Sequence, residues 1–157
     1  MTTIIITGTP GVGKTTLAKK FVKKGYFRLN LHDHYKEIST DYNRSKQCYD
    51  IDLRKFKALV KKVQKEHDKI VIDSHIAHLL PPSMVDLCIV LTCSNLKKLE
   101  KRLVKRKYSK KKIRENLDAE IFQVCLVETK EKGHKIKVFD VCEKKQPQVM
   151  NLLHKSL

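Results

Sequence analysis

Two hydrophobic rhythms take turns along this chain. The short runs Phe27–Leu31 and Lys135–Val141 interleave apolar with polar residues, and Thr3–Thr7, Lys69–Asp73 and Asp86–Thr92 carry β-branched or aliphatic residues at successive positions. Runs of this length, bounded by turn residues, read as strands of a sheet covered on both faces. Between them, apolar residues recur at the helical spacing of three and four. Leu17, Ala18 and Phe21 mark a helix over Lys14–Lys24 that stops at Gly25, and Leu53, Phe56, Leu59, Val60 and Val63 mark another over Asp52–His67. Leu96, Leu99 and Leu103 define a helix capped by Ser94 or Asn95, and Ile113, Leu117, Ile121 and Val124 predict one long helix over Lys111–Thr129. Shorter helices are expected over His32–Ser39 and Gln148–Leu157. Thr40–Asp50 is polar and irregular and reads as a loop, while Pro81-Pro82 ends any helix begun at Ile76. Strands alternating with helices imply βαβ units. The expected architecture is therefore a five-stranded parallel sheet flanked by helices, one α/β domain over residues 1–157.

The turn after the first strand carries the strongest chemical signal. Gly8-Thr9-Pro10-Gly11-Val12-Gly13-Lys14-Thr15 matches the G-x-x-x-x-G-K-[ST] pattern, between a strand and a helix. Glycines let such a loop wrap a phosphate with its N–H groups turned inward, and the following helix adds its own unpaired N–H groups and dipole. Lys14 is then expected to reach the β- and γ-phosphates and Thr15 to reach Mg²⁺, so the segment predicts a P-loop that holds a nucleoside triphosphate with its magnesium.

Three further features fit around that loop. Ile70-Val71-Ile72-Asp73 places a carboxylate at the end of an apolar strand, where ligands bind in open α/β sheets, so Asp73 is the expected metal partner of Thr15. His75, two residues on, is a candidate for orienting water or acting as a general base. Arg102 and Arg106 are four apart on one helix and precede a basic turn, which suits a short lid over about 106–112 whose guanidinium groups neutralise a transferring phosphoryl. The acceptor is expected between Asn30 and Leu53, with Asp33, Arg44 and Arg54 as polar candidates.

Composition narrows the setting. No apolar run approaches the roughly 20 residues that span a bilayer, and the N-terminal apolar run is too short for a secretory leader. A cytoplasmic protein that avoids membranes is expected, with a nuclear pool if the source is eukaryotic. The five cysteines, Cys48, Cys88, Cys93, Cys125 and Cys142, form no C-x-x-C pair, and free thiols are expected. The net charge of +17 is more than triphosphate binding requires. Its densest stretch runs from Lys97 to Lys112, interrupted by Glu100 alone among acids. A solvated surface and an RNA-facing one account for that charge equally well.

The P-loop, Asp73-Ser74-His75, the segment from Arg102 to Tyr108, Lys112-Ile113-Arg114-Glu115-Asn116 and Glu120-Ile121-Phe122-Gln123-Val124 together resemble the adenylate kinase isoenzyme 6 family, also called the coilin-interacting nuclear ATPases. The resemblance extends over nearly the whole chain. It implies the nucleoside monophosphate kinase form of the P-loop fold, with the acceptor segment at about 30–53 and a short lid. It also implies the reaction ATP + AMP ⇌ 2 ADP with ATP hydrolysis beside it. A role in maturation of the small ribosomal subunit follows too, through a ribosomal protein or ribosomal RNA, with the chain monomeric or in transient complexes. Carried onto this sequence, ATP would contact Gly11, Gly13, Lys14, Thr15, Thr16 and Arg106. A lysine after the last strand would lie by the adenine; Lys144 and Lys145 both qualify, and Lys145 stands as the assignment. The sequence departs from the family in two places. Lys107 stands where the lid usually has glycine before tyrosine, and Arg44 and Lys46 occupy an acceptor segment that is typically acidic.

Overall fold

A computed structural model of the chain describes residues 1–45, 48–142 and 146–154. Its sheet is assembled from β1 (Thr2–Thr7), β2 (Phe27–Leu29), β5 (Lys69–Asp73), β6 (Leu87–Thr92) and β7 (Ile136–Asp140), with a separate hairpin of β3 (Ser39–Asn43) and β4 (Cys48–Ile51). The five strands are all parallel, in the order β2-β5-β1-β6-β7. Alternate residues of each strand serve opposite faces. Ile4, Ile6, Val71, Leu87, Ile89 and Leu91 join one core, and Ile5, Ile70, Ile72, Cys88 and Val90 join the other. The first core is closed by α1 (Lys14–Val22), α4 (Leu96–Lys105) and α7 (Gln146–His154), through residues such as Phe21, Leu99, Leu103 and Leu153. The second is closed by α3 (Leu53–Glu66), with Phe56, Leu59, Val60 and Val63 forming the expected stripe.

Side chains fix several helix starts. Asp52 accepts from the Arg54 and Lys55 N–H groups at the head of α3. Asn95, rather than Ser94, caps α4 by accepting from Lys98, and Ser109 caps α5 (Lys110–Ile121) by accepting from Lys112. Each cap satisfies an N–H that the first helical turn leaves unpaired.

The structure corrects the sequence-based expectation at five places. The helix over His32–Ser39 is a 3-10 turn, Leu31–His34, followed by one α turn, α2 (Tyr35–Ile38). The loop over Thr40–Asp50 contains the β3–β4 hairpin. That ribbon stands apart from the main sheet with Thr40, Asp41 and Tyr42 exposed, so it needs no apolar alternation. The long helix is two helices, α5 and α6 (Val124–Lys132), separated at Gln123, whose φ of 53° is left-handed. Ile121 and Val124, expected on the buried stripe, face solvent, because the break turns that stripe outward. Finally, Cys93 and Cys142 are joined by a disulfide, while Cys88 and Cys125 carry free thiols. The ends of β6 and β7 lie side by side, with Thr92 opposite Asp140, which brings these two cysteines together. The last helix also begins two residues early, at Gln146. The candidates Lys46, Lys144 and Lys145 lie outside the described residues. No helix among the described residues is long and apolar enough to cross a membrane.

Candidate active site

The strands β1, β5 and β6 end together, and the loop from Gly8 to Gly13 sits on their carboxyl ends. Backbone contact dictates glycine at its first position. A Cβ on Gly8 would lie 2.4 Å from the Leu91 carbonyl oxygen, with φ at +146°, so neither space nor conformation admits a side chain. Gly13 takes a left-handed φ of 93° and turns the chain into α1. The loop is held from outside as well. Arg102 Nη1 donates to the Gly11 carbonyl at 3.0 Å. The Thr9 hydroxyl donates to Glu120 at 2.6 Å, and the same buried carboxylate accepts from the Cys93 N–H at 2.8 Å. Gln123 donates in turn to the Glu120 carbonyl at 2.8 Å. The break between α5 and α6 thus anchors the phosphate loop to the end of β6.

Lys14 folds over this loop, its Nζ donating to the carbonyls of Gly8 at 2.8 Å and Thr9 at 3.0 Å. Enclosure pulls its pKa down to about 8; the nearby Arg106 acts in the same direction, against the opposing effects of Cys125, Asp73 and Glu120. Thr15, in the first turn of α1, donates its hydroxyl to Asp73 Oδ2 at 2.9 Å. Asp73 is buried at the end of β5. It also receives a two-pronged ion pair from Arg28 on β2, with Nε to Oδ1 at 2.7 Å and Nη2 to Oδ2 at 2.9 Å.

A cleft of about 530 Å³ opens in front of these groups. Gly11, Gly13, Lys14, Thr15, Thr16, Asp73, His75 and Arg106 all line it, joined by Tyr108 and Lys112 from the turn after α4 and the start of α5. His32, Tyr35 and Tyr42 line it from the 3-10 turn, α2 and β3. Asp33, Arg44 and Arg54 are not among the cleft residues, and Asp33 instead accepts from the Asn30 side chain at 3.2 Å. Arg102 backs the loop through Gly11, leaving Arg106 as the arginine on the open cleft. His75 keeps contact with cleft solvent, yet desolvation by the surrounding walls and then the charge of Lys14 hold its pKa down to about 4. Its imidazole is neutral at ordinary pH.

The donor set fits a magnesium ion brought with nucleotide phosphates. Among the described residues, His, Cys, Asp and Glu form no group of three or more that could hold a metal alone. Thr15 and Asp73 offer a hydroxyl and a carboxylate oxygen side by side. Mg²⁺ characteristically takes one or two protein oxygens, with phosphates and water completing its shell.

Four contributors carry no site signal of their own in the sequence: Arg28, Glu120, Gln123 and His78. Arg28 reaches Asp73 only because β2 and β5 are neighbours, with Arg28 opposite Val71. Glu120 and Gln123 lie in the quoted Glu-Ile-Phe-Gln segment, but their task emerges only from the fold. His78, behind the cleft, is buried between the Thr7 hydroxyl at 3.0 Å and Glu128 at 2.6 Å. Desolvation lowers its pKa, against the hydrogen bond and charge of Glu128.

Residues 4–123 match the family model described as an AAA domain. The chain is 38% identical over 136 residues to a Methanocaldococcus jannaschii protein named "Putative adenylate kinase", covering 85% of this chain and 75% of that one. It is likewise 38% identical over 132 residues to an adenylate kinase isoenzyme 6 homolog of Schizosaccharomyces pombe, covering 82% of this chain and 74% of the relative. Among solved structures, a shikimate kinase from Bacteroides thetaiotaomicron superimposes with a TM-score of 0.63 at 15% identity, over 98% of each chain. That similarity establishes the P-loop kinase fold.

Proposed function

The chain belongs to the adenylate kinase isoenzyme 6 family, and from that premise we propose that it is an adenylate kinase, moving the γ-phosphoryl of ATP to AMP. The observation that carries this is the cleft itself. One end is a phosphate-binding loop with Lys14, Thr15 and Asp73; the other is lined by His32, Tyr35 and Tyr42 of the acceptor segment. Two nucleotides thus have walls of different character within one cavity.

The phosphates of ATP lie along Gly11–Thr16, taking the loop N–H groups and the start of α1. Lys14 leaves the Gly8 and Thr9 carbonyls for the phosphates, and Arg106 neutralises charge from the lid side. Arg102 acts one step back, keeping the Gly11 carbonyl turned away from the anion. Thr15 and Asp73 would hold the magnesium ion, which when bound supplies charge neutralisation to the phosphate oxygens. Transfer between phosphates needs in-line positioning and electrostatic stabilisation more than a base. By the family resemblance, Lys145, which lies outside the described residues, would contact the donor adenine. The whole chain acts as one domain, with 30–53 on the acceptor and 106–112 as the lid.

Hydrolysis of ATP is a second activity of the same site, favoured by His75. A neutral imidazole on the cleft wall can accept a hydrogen bond from a water that replaces the acceptor and so orient it. A place in small-subunit ribosome maturation, in the cytoplasm or nucleus, with ribosomal RNA or a ribosomal protein as partner, is supported by the net charge of +17.

A product assay separates these activities. ATP is supplied alone and with each nucleoside monophosphate, and ADP is followed. AMP should raise ADP formation well above ATP alone, and Lys14→Ala should lower it by about 100-fold or more, the loss typical of removing a transition-state donor. His75→Ala should reduce hydrolysis without AMP by about tenfold or more while transfer persists. No extra ADP with any monophosphate would overturn the kinase reading. Unchanged hydrolysis in His75→Ala would remove His75 from that role.

A further inference from the structure

Asp73 is engaged on both oxygens before any metal arrives. Arg28 Nε lies 2.7 Å from Oδ1 and Nη2 lies 2.9 Å from Oδ2, the paired fork of a guanidinium on a carboxylate. The same Nη2 lies 3.5 Å from the Thr15 hydroxyl, which itself donates to Oδ2. One guanidinium therefore spans both groups on which the donor site would hold its metal. The contact is anchored: the Asp73 side chain is 4% exposed and that of Arg28 20%. Arg28 is set by strand register, two residues back from the level of Asp73 on the neighbouring strand.

We propose that Arg28 is a resident cation of the metal position, which a divalent ion must displace from Asp73 before the metal-loaded donor site forms. This rests on the kinase reading of the Thr15–Asp73 pair. The physical argument is one of exclusion. Mg²⁺ binds oxygen at about 2.0–2.1 Å and demands near-octahedral geometry. A guanidinium within hydrogen-bond distance of both carboxylate oxygens fills the space in which such an ion and its waters would sit. Two cations on one carboxylate also repel each other at short range. With Arg28 in place, both Asp73 oxygens are paired by a guanidinium. The consequence is weak affinity for free divalent ions. Metal enters with a nucleotide, whose phosphates supply the remaining ligands.

The test uses Mn²⁺ alone, with no nucleotide, titrated into the full chain while free Mn²⁺ is read by its electron paramagnetic resonance signal. Arg28→Leu should bind Mn²⁺ at least tenfold more tightly than the native protein. Arg28→Lys, a point charge without the fork, should fall between them. The leucine variant leaves Asp73 buried without its partner and should be less stable. Its thermal midpoint should accordingly rise more steeply with Mn²⁺ than that of the native chain. If Arg28→Leu does not fold without metal, the native-to-lysine comparison decides, supported by folding on addition of Mn²⁺. Equal Mn²⁺ affinity in native and substituted chains would overturn the inference. Because nucleotide is absent, that result leaves the kinase reading intact. Failure of AMP-dependent ADP formation would remove the kinase reading and leave the metal titration unchanged.

Discussion

At the residue scale, Lys14 shows how the fold sets the working charge of a side chain. Its ordinary pKa of 10.5 falls to about 8, chiefly through loss of solvent. The folded value is below the unfolded one, so the protonated form is penalised by folding. That penalty applies below pH 8 and is relieved as pH rises from 8 toward 10.5. Triphosphate binding runs the other way, because it needs the ammonium. Affinity for a non-hydrolysable ATP analogue in metal-free buffer should be nearly flat from pH 7 to 7.5. It should then weaken toward tenfold per pH unit above 8, with Lys14→Arg holding its affinity to pH 9.5. Equilibrium fluorescence titration measures this, and a native profile flat to pH 9.5 would contradict it. The position of Lys14 in the loop is legible in the sequence because the motif fixes its spacing. Its bonds to the Gly8 and Thr9 carbonyls are not, since they depend on how the loop backbone folds around the side chain. Arg28 was illegible for a different reason. An arginine in the three-residue strand β2 has no periodic or motif signal, and only sheet order places it on Asp73.

Elements were legible where burial enforces a period. The central strands β1, β5 and β6 and the helix α3 could be read because their side chains must fill two cores, whereas the edge strands β2 and β7 expose Phe27 and Val138 and are marked by their place in the βαβ alternation. The β3–β4 hairpin could not, because its exposed side chains are free of that constraint. The α5–α6 break could not either, because it is held by polar contacts of Glu120 and Gln123 that hydrophobic spacing does not record. The end of α4 combines both lessons. Arg106 caps the helix and Lys107 follows with φ at 58°, its N–H donating to the Val104 carbonyl at 2.9 Å. This is the left-handed position after a helix where glycine is favoured. A side chain there costs about 1–2 kcal/mol. Glycine returns part of that gain through the greater entropy of its unfolded chain, about 0.4–1 kcal/mol. Lys107→Gly should therefore stabilise the protein by about 0.5–1 kcal/mol, seen as a higher urea midpoint at unchanged slope. A lower midpoint would show that the lysine side chain contributes more than its backbone costs. The native lysine makes the turn beside Arg106 stiffer than a glycine would.

At the scale of the whole molecule, chemistry and charge share one helix. The inner face of α4 buries Leu99 and Leu103 and sends Arg102 to the Gly11 carbonyl. Its outer face exposes Lys97, Lys98, Lys101 and Lys105, and the basic surface continues through Lys107, Lys110 and Lys111. A polyanion on that face would lie one helix diameter from the phosphate loop, so its binding and nucleotide binding would act on the same element. A solvated lysine surface with no partner would give neither measurable RNA affinity nor a steep salt response, and this difference decides between the two origins of the charge. Binding of a single-stranded RNA oligonucleotide, followed by fluorescence anisotropy, should weaken steeply with salt. A slope of about −3 in log K against log salt would correspond to roughly four neutralised phosphates. Replacing Lys97, Lys98 and Lys101 by glutamate should flatten that slope and lower affinity at every salt concentration. These side chains point away from the two cores, so the melting temperature should stay close to that of the native chain. If the triple substitution leaves the slope untouched, the RNA footprint lies elsewhere. If the native chain fails to bind at low ionic strength, the +17 charge is a property of its hydrated surface alone.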